Sequence, residues 1–255
     1  KTTLESIIMN CHNGEMYLSE AIESVLSQTY RNWELIFWDN QSIDRSSEII
    51  KSFNDPRIYY HYAKEFTTLG EARNLAISKS QGKFIAFLDA DDIWLKNKLE
   101  QQLPLFDDQK VGVVISDTIF FNESNKEKQL YLNKKPPTGE VFRELLSRSF
   151  ISLETAIIRR IAIEKLDHWF DPRFDVVEEY DLFIRILYEW ELAYVDKVLA
   201  KWRVHGDSWT WTRGDLFPLE RKLLLEKLNK LIPDFKLNYH EEIALMEHYR
   251  IWEEA

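Results

Sequence analysis

Three carboxylates occupy four positions at Asp89-Ala90-Asp91-Asp92, directly behind the apolar run Phe84-Ile85-Ala86-Phe87-Leu88. Like charges at that spacing repel one another unless a cation or a set of donors offsets them. Oxygen-only ligands of this kind suit a hard divalent ion, Mg²⁺ or Mn²⁺, which can also hold substrate phosphates. The same acids could instead form a polar turn capping the helix expected at 96–106. A second acidic set, Glu178-Glu179-Tyr180-Asp181, falls where another helix should open. There the macrodipole favours anions whether or not they do chemistry. Asp39 closes the apolar run Trp33-Glu34-Leu35-Ile36-Phe37-Trp38. Its carboxylate could accept bonds from a base or ribose, or close an Asx turn beside Asn40. Arg73, early in a helix after Gly70, could face phosphate, stack on a base or pair with a neighbouring acid such as Glu71. Beyond His205-Gly206, Trp209 and Trp211 offer rings that can stack on sugar faces or pack over a sheet edge.

A strand inside a covered parallel sheet tolerates no charge along its length, so charges wait for its carboxyl end, where open α/β sheets bind ligands. Ser6-Ile7-Ile8-Met9 reads as a first strand, turned by His12-Asn13-Gly14 into a helix with Leu18, Ala21, Ile22, Val25 and Leu26 on one face. A strand at 33–38 leads into a helix that Asp44 or Ser46 can cap and that carries Ile49, Ile50 and Phe53 on its apolar side. A strand at 58–62, a helix at 70–79 and the central strand complete an alternation that predicts a mostly parallel sheet covered on both faces. Loops 10–14, 39–42 and 89–92 should then gather at one sheet edge. Further on, the pattern predicts a strand at 111–116 ending at Asp117, a polar lysine-rich loop or hairpin at 122–137 and a short helix at 140–148. A strand at 154–159, a helix at 177–190 and a strand at 198–204 follow. Two helical segments divided by Pro233 close the chain. The first of these is amphipathic with several basic residues; it could pack on its own domain, meet a partner helix or lie on a membrane surface.

The 255 residues can bury a sizeable core, and a net charge of −10 argues against a nucleic-acid binder. An anionic ligand would need local help from Arg, Lys or a metal. The single cysteine, Cys11, excludes an internal disulfide and any multi-cysteine zinc site, which fits a cytosolic protein, and reads as a buried small residue. No apolar run approaches the ~18 residues of a membrane span, and no signal peptide is visible.

Asn13-Gly14, Gln28-Thr29, Trp38-Asp39-Asn40-Gln41-Ser42, Ala72-Arg73-Asn74 and Phe87-Leu88-Asp89-Ala90-Asp91-Asp92 stand in an order that resembles the family 2 glycosyltransferases of GT-A fold. Glu178-Glu179-Tyr180-Asp181-Leu182 and Arg203-Val204-His205 extend the resemblance over residues 4–210. It implies a Rossmann-like, mixed, mostly parallel sheet flanked by helices. It also implies a domain over 1–215, with a nucleotide-binding half at 1–117 and an acceptor half at 118–215, and a helical extension at 216–255. The activity it implies is inverting transfer of a sugar from a nucleoside diphosphate, most often UDP, to a hydroxyl of a glycan or lipid-linked acceptor. Such transfer belongs to cell-surface polysaccharide synthesis, in the cytoplasm or peripherally at the inner membrane face.

Carried over residue by residue, Asn10, His12, Asp39, Asn40, Arg73 and Asp89 would meet the nucleotide. Asp91, Asp89 and His205 would hold Mn²⁺ or Mg²⁺. Glu179 would be the base, with Asp181 the alternative. Glu178, Trp209 and Trp211 are candidate acceptor contacts. The chain departs from the family pattern at Asn10-Cys11-His12, where Pro-Thr-Tyr is commoner, at Asn40 in place of a second Asp, and at Glu179, where Asp is usual. The competing readings are a sugar nucleotidyltransferase, for which residues 10–14 lack the Gly-rich basic loop, and a binding module without turnover.

Overall fold

The computed structural model describes residues 3–122, 124, 126–206 and 213–248. Four strands open the chain in parallel: β1 (Glu5–Cys11), β2 (Trp33–Asp39), β3 (Ile58–Tyr62) and β4 (Phe84–Phe87). Helices α1 (Leu18–Leu26), α2 (Ser46–Ser52) and α3 (Leu69–Ile77) connect them, as the alternation predicts. The short β5 (Ile93–Trp94) and α4 (Lys98–Gln102) precede β6 (Val111–Phe121), β7 (Glu127–Gln129) and α5 (Phe142–Ser147). Then come β8 (Ile157–Arg159), α6 (Arg160–Glu164), α7 (Glu178–Ile186) and β9 (Glu191–Arg203). Helices α8 (Phe217–Leu231), α9 (Phe235–Asn238) and α10 (His240–His248) follow. The strand order is β3-β2-β1-β4-β8-β6-β9-β5, with β7 pairing the far end of β6. β8 enters antiparallel between β4 and β6, and β5 pairs antiparallel with β9.

Alternation along the strands divides the interior into two cores, one on each face of the sheet. Ile7, Met9, Leu35, Phe37 and Ala86 face α1, α2 and α4. Ile8, Ile36, Ile85 and Phe87 face α3 and the helices from α5 onward. Leu224 and Leu228 of α8 and Phe235 of α9 belong to this second core. Each fully buried leucine there contributes about 1.5–3 kcal/mol. Leu224 and Leu228 of α8 are therefore spent on its own domain, whereas Leu219 and Leu231 stay exposed.

Several boundaries differ from the sequence expectation. β6 does not end at Asp117 but continues to Phe121, because Asp117 sits in a register shift against β9. Its buried carboxylate accepts the Thr118 and Tyr131 N–H groups and the Gln129 amide. The polar stretch after β6 is a hairpin in which β7 pairs β6. β9 begins seven residues earlier than the strand expected at 198, so α7 is correspondingly short. Neither Asp44 nor Ser46 caps α2, whose N-cap is Arg45. Ser46 Oγ instead accepts the Gly14 N–H, and Asp44 accepts from Glu15 and Ser46, which pins the loop after β1 to the start of α2. Gly14 suits that junction, since a Cβ there would stand 2.8 Å from Cys11 Sγ.

Candidate active site

The register that sets Cys11 beside Asp39 and Asp39 beside Tyr62 brings the first loops to one edge, where they border a cleft of about 950 Å³. Asn10, His12, Arg73, Asp89, Asp91 and His205 line it, and so do Glu178 and Glu179. Asn10 ends a buried stretch of β1, and its amide nitrogen has no partner among the described residues, leaving a donor for a ligand. His12 Nδ1 lies 2.9 Å from the Asn40 carbonyl, so Nδ1 carries the proton and Nε2 accepts from the Asn13 amide. The exposed Phe66 ring meets His12 edge-on at 4.9 Å.

Asp39 and Asn40 lie behind this surface rather than on it. Asp39 is fully buried; Oδ1 accepts the Ser42 N–H and Oδ2 the Tyr60 hydroxyl, each at 2.8 Å. Burial and the Asp39 charge push the Tyr60 hydroxyl well up, so it stays a donor. A base contact through Asp39 needs the residues that cover it to move aside. Asn40 is tied to Thr67 through both ends of its amide.

The crowding at 89–92 is resolved by sending the three carboxylates apart. Asp89, 38% exposed, turns to Arg73 Nη2 at 3.2 and 3.4 Å. Asp91 Oδ2 lies 2.8 Å from His205 Nε2, and burial, with Asp89 beside it, pushes its carboxyl up. Asp92 is drawn inward, where Oδ1 accepts the Arg203 N–H at 2.8 Å. Its Oδ2 has no hydrogen-bond partner among the described residues, and burial, with Asp91 beside it, pushes its carboxyl well above the usual range. Arg203 also donates to the Asp91 carbonyl and lies over the Tyr17 and Phe121 rings, so the end of β9 fixes the shape of the acidic loop. Nothing in the local pattern Arg203-Val204-His205 marks this role for Arg203.

Arg73 is 1% exposed, and its partner is not Glu71. Nη1 reaches Glu178 Oε1 at 2.9 Å and Glu179 Oε1 at 3.1 Å, while Nη2 holds Asp89. One guanidinium thus ties the acidic loop to the first turn of α7. Burial pushes both glutamates up, and Arg73 pulls each back toward ionisation. Asp181 is turned out of the cleft: it is fully buried, paired with Arg185 at 2.6 Å and with Lys227 of α8 at 2.7 Å. That neutralised position corrects its nomination as the alternative base. Trp209 and Trp211 lie outside the described residues.

Among the described residues no three His, Cys, Asp or Glu side chains gather as a metal cage. Asp91 and His205 nevertheless present an oxygen and a nitrogen donor side by side in the cleft. That pair fits a divalent ion that completes its shell from phosphate oxygens and water, the usual way Mg²⁺ is held at nucleotide sites.

A family model described as "Glycosyl transferase family 2" matches residues 6–167. Two Escherichia coli proteins described as UDP-Glc:alpha-D-GlcNAc-diphosphoundecaprenol beta-1,3-glucosyltransferases are similar along most of the chain. WfgD is 31% identical over 80% of this chain and 79% of its own length. WfaP is 31% identical over 97% of this chain and 93% of its own length. The crystal structure of S. aureus TarS 1-349 in complex with UDP-GlcNAc superposes with a TM-score of 0.77 over 95% of this chain and 71% of that one. At 17% identity, that likeness speaks for the fold.

Proposed function

Because the chain belongs to glycosyl transferase family 2 and has the GT-A fold, we propose that it transfers a hexose, with inversion, from a UDP-sugar to a hydroxyl of a lipid-diphosphate-linked glycan. The named activities of the two Escherichia coli relatives support the donor and acceptor classes. The observation that carries the reading is that Glu179 and Asp91 open onto one cleft from elements far apart in sequence. Glu179 is 32% exposed, so an acceptor hydroxyl can reach it.

The charges bordering the cleft argue for a cation. Asp89, Asp91, Asp175, Glu178 and Glu179 line it, whereas Arg73 is the single Arg or Lys among the described lining residues and is already shared among three carboxylates. A nucleoside diphosphate entering such a field is repelled unless positive charge enters with it. Asp91 and His205 are the residues that would hold Mn²⁺ or Mg²⁺, whose charge would offset the leaving diphosphate. Asn10 and His12 are suited to the nucleotide. Glu179 accepts the proton of the acceptor hydroxyl as its oxygen bonds to the anomeric carbon. The bond from that carbon to the diphosphate oxygen breaks, and its electron pair leaves with the UDP. One base suffices for single displacement. Burial, only partly offset by Arg73, raises the Glu179 carboxyl to about 8, so its ionised form is a stronger base than an ordinary carboxylate.

Among the described residues, no helix is long and apolar enough to cross a membrane. A lipid-linked acceptor would bring the enzyme to a membrane surface, and the C-terminal helices, with exposed Leu219, Leu237 and Leu245 and exposed Lys222, Lys230 and Lys236, are the region proposed to meet it. Co-sedimentation with anionic vesicles at low salt checks this contact.

The central test is turnover of UDP-glucose with a GlcNAc-diphospholipid acceptor. Glu179→Gln should lower kcat by about 10²–10⁴ with UDP binding retained, and Asp91→Asn should abolish Mn²⁺-dependent UDP binding in calorimetry. Parental turnover in Glu179→Gln would remove it as the base, and unchanged binding in Asp91→Asn would remove the metal assignment.

A further inference from the structure

The first turn of α7 carries the two carboxylates that face the cleft, and what holds that turn lies beyond the sheet. Val177, the N-cap of α7, supplies no side-chain bond of its own. Buried backbone N–H groups need an acceptor, in a helix or in the segment that leads into one. Here Asp175, Val176 and Val177 donate three successive N–H groups to the carboxylate of Glu220 on α8, at 2.9, 2.9 and 3.1 Å. Glu220 is 4% exposed, so water does not compete for these bonds. Two turns along the same helix, Lys227 reaches Asp171 Oδ2 at 2.8 Å and Asp181 Oδ1 at 2.7 Å, one residue in front of the turn and one within it. Leu224, between them on α8, has no exposed surface. The grip is thus polar at both ends and dry in the middle. It comes from a segment beyond the reach of the family match, which ends at residue 167.

We propose that Glu220 is a positioning residue for sugar transfer: by gathering the three N–H groups it sets where Glu178 and Glu179 stand in the cleft. The inference rests on the reading of Glu179 as base. Charge-assisted bonds to a buried carboxylate are stronger and shorter-ranged in direction than bonds to water, so they define a position as well as a stability. Glu220 also acts on charge. The groups that bear on Glu178 are Arg73 of α3, Asp89 of the acidic loop, Glu179 of its own helix and Glu220 of α8. Of these, Glu220 is the anion contributed by the C-terminal helices, and it raises the Glu178 carboxyl.

The test compares Glu220→Ala and Glu220→Gln with the parent chain, measuring kcat and donor KM with UDP-glucose and a GlcNAc-diphospholipid, UDP–Mn²⁺ affinity by calorimetry, and thermal melting. Displacing a reacting group by about an ångström can cost on the order of 10²-fold in rate. Glu220→Ala should therefore lower kcat by about 10- to 100-fold and leave UDP–Mn²⁺ affinity within about twofold. Glu220→Gln keeps one acceptor oxygen and should recover part of kcat. In both variants the loss should fall on kcat with UDP–Mn²⁺ affinity retained, a split that a general loosening of the fold would not produce. Unchanged kcat in a folded Glu220→Ala overturns the inference, and so does an equal loss of kcat and UDP affinity. If Glu220→Ala does not fold, parental kcat in Glu220→Gln overturns it. Low kcat in Glu220→Ala beside parental turnover in Glu179→Gln would refute the base reading and leave the positioning of α7 standing.

Discussion

Arg73→Met should destabilise the fold by about 3 kcal/mol near pH 8 and by clearly less near pH 5.5. The guanidinium is 1% exposed and meets three carboxylates. Removing one partner of a buried ion pair costs about 3–5 kcal/mol, because a charge is left without compensation. Two of the three acids escape that penalty in part, since Asp89 is 38% and Glu179 32% exposed and both can take up water. Glu178, at 6%, cannot, which places the cost at the lower end. The pH dependence follows from the sign of the shifts. Burial already raises both glutamates above their unfolded values, and without Arg73 they rise further. The folded variant keeps protons at pH values above about 7 to 8, where the folded parent releases them, so its deficit relative to the parent grows as pH rises through that window and is smaller below it. Urea unfolding at the two pH values measures the difference, and a melting shift of about 6–12 °C is expected at the higher one. Arg73→Met combined with Glu178→Gln should recover about 1–2 kcal/mol. A deficit that is the same at both pH values, and unchanged in the double variant, would mean that Arg73 contributes packing alone.

Two further outcomes follow from buried groups away from the cleft. Lys98 is completely buried, its ammonium donating to Gln102 Oε1 and the Thr155 carbonyl, and burial brings its pKa down to about 7. The unfolded chain keeps that proton to about pH 10, so stability should rise with pH between these values; Lys98→Met should flatten the rise, and an unaltered slope in urea titrations would refute it. A Cβ on Gly82 would stand 2.5 Å from Ser6 N and 2.9 Å from Glu5 C, backbone atoms of β1 that cannot swing away. Gly82→Ala should therefore cost about 1–3 kcal/mol, and a melting temperature equal to that of the parent would show that β1 and the turn can part.

The positions of β1 to β4 and the gathering of their loops were legible because short apolar runs alternating with helical patterns leave few other folds. Local rules failed where a residue's partner lies far along the chain. Asp117 looks like a strand end and is a buried bulge, since its acceptors are filled from β7 and the loop after it. Asp181 resembles its acidic neighbours Glu178 and Glu179 but is paired with Lys227, 46 residues later. Arg73 finds Glu178 rather than Glu71, across 105 residues. Glu220 reads as an ordinary acid on an amphipathic helix, and no local pattern marks its three backbone partners.

The clamp of β9 on the acidic loop has a consequence for the order in which the protein becomes competent. Asp91 and His205 are separated by 114 residues. At about 5–20 residues per second of synthesis, that interval corresponds to roughly 6–20 s. During that time the nascent chain holds an acidic loop without its histidine and without the Arg203 bonds that shape it, and for most of it without the helix that carries Glu179. The central strands can form while the ribosome is still at work, yet nothing on them can act. Competence arrives late and all at once, when the last strand and the helix behind it close over a sheet already built.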